Sequence, residues 1–462
     1  MAVVCCGCRN FDNLIFNLTR KEGSMDRRLI NSYLLVKSLE RAASGWFFST
    51  YVLFLLANGL TAAQATQVNM AYMLGNFVFN LPTGALGDVL GNVPVYLSGA
   101  VILGTGFFAY GLGHSFAFFF ACEGASAVGG ALMSNALEAL LTNEIGVDRA
   151  KNVKAQAGIY GAIASMPTAL AGAFVGATVG LEYPWFLASV TMLACFIVGA
   201  VVLKEHHTVR HTRLASVVQV FPKFGASIKG GTVLIFSKKP LIYSAMILMA
   251  LAVATQAINM FWAPIFKEEA GATWWMGALW VAIAAFSIVG AQLSKRLKAN
   301  LVTIGCILLA IGIPLIMTNI FPHVIWVTCS LFLAHEIGRG MWLPVVDAYA
   351  NTYIANDVRN TANSTLESFE VLARWAGLWA AGTLTQKAPQ WLVDVLTMVL
   401  DPKTVTELTS GFSLLTVWEL CGLVVFAAGL IAIWLGVRVK VFALVLTAQY
   451  QVKSYVKKLK EA

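Results

Sequence analysis

Eight ionisable residues set inside otherwise apolar stretches are this chain's best candidates for chemistry. Glu123 and Glu138 share one stretch, Glu336, Arg339 and Asp347 a second, and Glu367, Glu370 and Arg374 a third. A charge within a bilayer is costly and faces either a partner or a water-filled cavity. Offsets of three, four and seven residues put Glu367, Glu370 and Arg374 on one helical stripe. If the second and third stretches pack side by side and antiparallel, Arg339 falls level with Glu367 and Glu370, and Arg374 level with Glu336. Two cross-helix ion pairs are then expected. With Asp347 placed near the interface, three carboxylates face two arginines, and the surplus acid is a candidate proton carrier. The same charges would also serve simply to lock two helices together or to line a wet vestibule. Glu123 stands alone, about 12 Å into its stretch at 1.5 Å per residue, and is a candidate cavity residue. Asn76, Asn80, Gln256, Asn259, Tyr51 and Trp46 are further polar groups for a cavity or for helix–helix hydrogen bonds.

The elements that hold these residues follow from composition. The chain has 462 residues, 58% hydrophobic and 12% charged, with a mean hydropathy of +0.73. Soluble domains carry about 25% charged residues, so lipid is the expected solvent. Crossing a bilayer takes about 20 apolar residues. That rule predicts spans at 34–57, 64–86, 94–113, 115–141, 155–180 and 184–203, then at 241–264, 274–293, 300–318, 323–349, 362–384 and 412–436. The expected fold is all-α, twelve membrane helices in two six-helix bundles. The bundles are residues 31–203 and 241–436, flanked by a tail (1–30), a central loop (204–240) and a basic tail (437–462). Two bundles that rock about a central site are the expected machinery of a carrier. Gly172, Gly176 and Gly180 suit close helix packing and a sliding surface between bundles, and Pro167 bends the same helix. Trp262, Trp274 and Trp275 suit an interfacial aromatic belt. Trp391, Leu392 and Val393 suggest a short interfacial helix in the longest outer link.

The net charge of +9 does not mark a nucleic-acid binder, because basic residues cluster between alternate spans. That bias places both termini and the central loop in the cytoplasm. The sequon at Asn17 then faces the wrong side for glycosylation. Cys5, Cys6 and Cys8 read as an incidental tail, and Met25 is an alternative start. The other five cysteines sit singly as small hydrophobes. No metal site, cofactor or ATP-binding domain is expected. His335-Glu336 lacks the second histidine of a zinc-protease helix, so an enzyme is not expected.

The stretch Pro82-Thr83-Gly84-Ala85-Leu86-Gly87-Asp88-Val89-Leu90-Gly91 sets a carboxylate among glycines in a short link between two spans. Residues 84–91 resemble the signature loop of the major facilitator superfamily. Pro82-Thr83-Gly84 is similar to a prokaryotic branch labelled drug-efflux or uncharacterised permeases. Gly130-Ala131 through Glu138-Ala139-Leu140, Tyr183-Pro184-Trp185-Phe186 and Arg359-Asn360-Thr361-Ala362-Asn363-Ser364 resemble the same branch. The resemblance implies the major facilitator fold in a prokaryotic inner membrane. It also implies a gating latch of Gly84, Asp88 and Gly91 against the start of span 11 at Arg359. Asn92, Val93 and Pro94 stand where the family loop carries basic residues. Gly161, Ser165 and Pro167 are a poor fit to the glycine–proline motif of proton-driven antiporters.

The expected function is secondary active transport of a small organic molecule by alternating access, as efflux, with protons as the candidate coupling ion and a monomeric carrier. Asn76, Glu123, Gln256, Asn259, Glu336, Arg339, Glu367, Glu370 and Arg374 are the expected substrate or proton pathway. The alternatives are uptake of an anionic solute at Arg339 or Arg374, and a transporter-like receptor or scaffold without flux.

Overall fold

The computed structural model describes residues 24–204, 220–321, 324–354, 359–387 and 411–461. The described residues form fourteen helices and no strand. They are α1 (Ser24–Phe48), α2 (Tyr51–Ala57), α3 (Ala62–Leu90), α4 (Asn92–Gly111), α5 (Phe116–Ile145), α6 (Val147–Thr178) and α7 (Tyr183–Val202). The remainder are α8 (Val220–Ser237), α9 (Lys239–Ala270), α10 (Trp275–Ser294), α11 (Leu301–Thr318), α12 (Ile325–Asn351), α13 (Arg359–Leu384) and α14 (Leu414–Glu461).

Eight of these, α4 to α7, α9 to α11 and the first part of α14, are long and apolar enough to cross a membrane. The apolar surface of half of them is poorly covered by protein: 22% of the most apolar window of α10 and 28% of those of α6, α7 and α14 is buried, against 67% for α9. Phe174, Val190, Val201 and Trp326 point outward. Such faces are stable only against hydrocarbon, and helices satisfy their own backbone there. Helices α1, α12 and α13 are as long but less apolar, with charged side chains along their length.

Two departures from the predicted spans bear on function. Residues 82–90 are not a link: α3 runs through them to Leu90, and Gly91 alone (φ +90°) makes the turn into α4. Neighbouring helices supply the packing that overrides the poor helix propensity of Gly84 and Gly87. Span 1 is broken instead, at Ser49–Thr50 between α1 and α2, where Thr50 N–H bonds back to Phe47 O at 2.9 Å. The central loop also holds a helix, α8, packed on α13, α9 and α3, and α14 continues through the basic tail.

Helices α1 to α7 pack mainly on one another, as do α9 to α14, and the two groups meet through α3–α13, α6–α10 and α2–α9. Among the described residues, the tight glycine and ring contacts between groups fall at the end where α3 and α10 begin. A Cβ on Gly277 would sit 2.7 Å from Ala169 O, one on Gly382 would meet Thr66 Oγ1, and the rings of Phe48 and Trp280 are 5.0 Å apart. The glycine stripe of α6 does not serve this joint. Gly172 packs on Trp46 of α1, and Gly176 on Thr50, Leu181 and Pro184, all within the first group. Helix periodicity turns the neighbouring Ala169 and Ala173 toward α10 instead. The tryptophan belt is likewise reduced to exposed Trp274; Trp262 is buried against Trp280, and Trp275 packs on Phe266. Asn17, Cys5, Cys6, Cys8 and residues 391–393 lie outside the described residues.

Candidate functional site

Mid-way along the second group, three helices converge on one carboxylate. Glu336 of α12 is 2% exposed. Its Oε1 accepts from Arg339 Nη1 at 2.7 Å, one turn along the same helix, and its Oε2 accepts from the Ser287 hydroxyl of α10 at 2.9 Å. Arg339 Nη2 donates to Asn259 Oδ1 of α9 at 2.8 Å. His335, fully buried, makes a short contact with the Phe332 carbonyl through Nδ1, while its Nε2 lies 3.4 Å from Glu336 Oε1, outside hydrogen-bond geometry. A buried ion pair needs such extra hydrogen bonds to offset desolvation. The neutral partners come from different helices, so any sliding of α9 or α10 past α12 must change the pair's surroundings.

Neither expected cross-helix ion pair forms. Arg374 pairs with Glu370 one turn back on α13, and Arg339 pairs with Glu336 on α12. The i,i+3 and i,i+4 spacings bring these partners together on their own helices. The side-by-side packing of spans 10 and 11 is also absent: α12 packs on α10 and α11, α13 on α9 and α3, and α9 touches both. Arg374 keeps 39% of its side chain exposed.

Glu367 is exposed and within electrostatic reach of Glu138 and Lys154 of the first group. Lys154 donates to Glu138 at 2.5 Å, a half-exposed pair that adds little stability. In the first group Glu123 is buried and accepts from the Tyr51 hydroxyl at 2.6 Å. Asn76 bonds locally to the Tyr72 carbonyl, Gln256 is buried, and Trp46 Nε1 donates to Thr191. Gly84, Asp88 and Arg359 contribute backbone to α3 and α13, which pack together. The side chains of Asp88, Arg359 and Asn80 lie outside the described residues, and with them the expected latch contact.

Ser287 and the Lys37–Glu40 pair (2.9 Å) of α1 are polar participants that the sequence reading does not single out. Ser287 carries no signal beyond being polar in a span. Lys37 and Glu40 carry one, two opposite charges three residues apart inside span 1, which resembles an ordinary span end.

Asn259→Ala leaves one guanidinium N–H without its partner. Hydrogen bonds to charged groups are worth about 1.5–3 kcal/mol, and Arg339 is 21% exposed. A loss near the lower end, about 1.5 kcal/mol, is expected, read as a modest fall in the thermal midpoint of the purified protein.

This geometry, apolar helices in two groups with charged clusters enclosed between helices, defines a polytopic membrane carrier. The sequence pattern of the Major Facilitator Superfamily matches residues 34–378. The chain belongs to the major facilitator superfamily, and is therefore an integral membrane protein of a family of secondary transporters for small molecules rather than of enzymes. No curated protein sequence matches it.

Solved structures give the same fold at low identity. One, from work on substrate recognition in proton dependent oligopeptide transporters, aligns at 14% identity and TM-score 0.65, covering 88% of this chain and 97% of that one. The human organic anion transporter MFSD10 (TETRAN) aligns at 15% identity and TM-score 0.58, covering 88% and 100%. A POT family transporter in complex with 5-aminolevulinic acid aligns at 12% and 0.63, covering 88% and 96%.

Proposed function

We propose that the chain moves a small organic molecule outward across the membrane by alternating access, coupled to protons through the Glu336–Arg339 cluster. The observation that carries this reading is the buried Glu336, held by its own arginine and by neutral groups of two other helices. A carboxylate so placed exchanges partners when helices slide, and a proton can take the place of a lost one. With the orientation given by loop charges, the close inter-group approaches seen among the described residues lie on the outer side. The solved relatives are described as proton dependent oligopeptide and organic anion transporters, and coupling to protons is compatible with the first of these.

The test is a pH-gradient assay in proteoliposomes of the full chain. A broad panel of organic molecules is screened for saturable flux while a dye reports internal pH. Substrate-dependent proton movement, at least about tenfold lower in Glu336→Gln, is expected. Flux without proton movement would end the coupling claim. No flux of any panel member would favour the scaffold. Uptake of an anionic solute remains the second reading because Arg374, though paired with Glu370, keeps its head partly exposed. Arg374→Ala with full transport of anions would remove it.

A further inference from the structure

Arg339 and Arg374 each have a glutamate one turn away, but Arg41 of α1 has none. Two contacts fix its depth. The Val36 carbonyl of α1 lies 3.6 Å from Cys195 Sγ, and Trp46 Nε1 donates to Thr191 at 2.9 Å. Arg41 sits half-way between them, level with the middle of α7 (Tyr183–Val202), a helix long and apolar enough to cross a membrane. Its side chain is nevertheless exposed. It forms no hydrogen bond or ion pair with the described residues, and the adjacent acid, Glu40, is tied to Lys37 at 2.9 Å. A guanidinium is costly against hydrocarbon at that depth, so it faces a water-filled space.

Two glycines of α6 shape that space. A Cβ on Gly161 would lie 2.7 Å from Arg41 Cγ, so the missing side chain makes room for the arginine stem. Further along, Gly45 of α1 packs on Thr168 and Ser165 of α6, which shows that the two helices run parallel. Long side chains point toward the start of their own helix. The guanidinium is thereby led from Gly161 toward Gly158, one turn nearer the start of α6. Gly158 is exposed, and a Cβ there would meet nothing within 4 Å. Arg41 is also within electrostatic reach of Tyr72 of α3, so it faces the interior of the first group rather than lipid. The planar fork of an arginine matches a carboxylate with two parallel hydrogen bonds. Because Lys37 and Glu40 cancel, one positive charge is left over, and it suits a monoanion better than a doubly charged phosphate.

We propose that Arg41, its stem held on Gly161 and its head beside the open space at Gly158, seats the carboxylate of the transported molecule, making the substrate an organic carboxylate. This rests on the transport reading above but is tested without flux. Equilibrium binding to the purified full chain would be measured for a panel of monocarboxylates, from acetate to naphthoate, each beside its own primary amide, which has the same shape and no charge. At least one carboxylate is expected to bind at least about tenfold more tightly than its amide. Arg41→Gln is expected to abolish that preference, with the amide's affinity and the thermal midpoint unchanged, because the guanidinium has no internal partner to lose. Arg41→Lys keeps the charge without the fork and retains part of the preference. Arg374→Gln retains all of it. Gly158→Leu fills the open space and weakens carboxylate and amide alike.

A wild-type protein that binds no carboxylate better than its amide would overturn the proposal whatever the variants do. So would a preference that survives Arg41→Gln, or an Arg41→Gln protein that unfolds, since the guanidinium would then have a structural partner. Proteoliposome flux of a neutral or cationic solute with no carboxylate preference would sink the seat at Arg41 alone and leave the transport reading standing.

Discussion

Glu336→Gln is expected to be among the most damaging single substitutions in the chain, while adding Arg339→Gln restores most of the lost stability. The single change keeps the shape and one acceptor for Ser287, but removes the countercharge from Arg339. Breaking a buried ion pair from one side costs about 3–5 kcal/mol. Arg339 is 21% exposed and can recruit some water, so about 2–3 kcal/mol is the expected loss. The double variant leaves two amides that bond each other and no orphan charge, and should lie within about 1 kcal/mol of wild type. Flux should stay lost in both, because no carboxylate remains at position 336 to take up and release a proton. Thermal midpoints of the purified proteins, beside proteoliposome flux, separate the two effects. A double variant as unstable as the sum of the singles would show that the two groups are not coupled.

The fold was legible because its signal is bulk. Runs predicted at 184–203, 274–293 and 300–318 appear as Tyr183–Val202, Trp275–Ser294 and Leu301–Thr318. Apolar length alone sets those ends to within a residue or so. The break at Ser49–Thr50 was not legible, since no glycine or proline marks it. Tertiary bonds, including Ser49 to the Ala169 carbonyl, hold it. Inside the site, residue types were readable and partners were not. Glu336, Arg339 and Asn259 stand out as polar residues in apolar runs, but which helix lies beside which is decided by packing. Placing α9 between α12 and α13 turned two imagined cross-helix pairs into two local ones. The three-residue spacing of Glu336 and Arg339 held the correct answer, because a partner one turn away needs no assumption about neighbours. Ser287 is the extreme case: its role exists only because α10 comes close enough to α12.

That closeness rests on two glycines, and it sets the second large effect. A Cβ built on Gly340 would lie 2.0 Å from Ser287 O, and one on Gly290 would lie 2.0 Å from Ile337 O and 3.0 Å from Gly340 Cα. Both clashes are with backbone, so no rotamer change relieves them and the helices must move apart. The displaced carbonyl belongs to Ser287, whose hydroxyl bonds Glu336, so separation stretches the 2.9 Å contact as well. Overpacking of this kind costs about 1–3 kcal/mol and occasionally more. Gly340→Ala should reach the top of that range, with flux falling in parallel. Gly158 is the control: it sits in α6 with nothing within 4 Å of its Cβ position. Gly158→Ala should be neutral, or stabilising by up to about 1 kcal/mol through helix propensity. Midpoints measured side by side decide the matter. If Gly340→Ala melts like Gly158→Ala, the α10–α12 contact is loose enough to absorb a methyl group. Ser287 could not then be held in place by that contact, and the case for Glu336 as a group that senses helix sliding would fail with it.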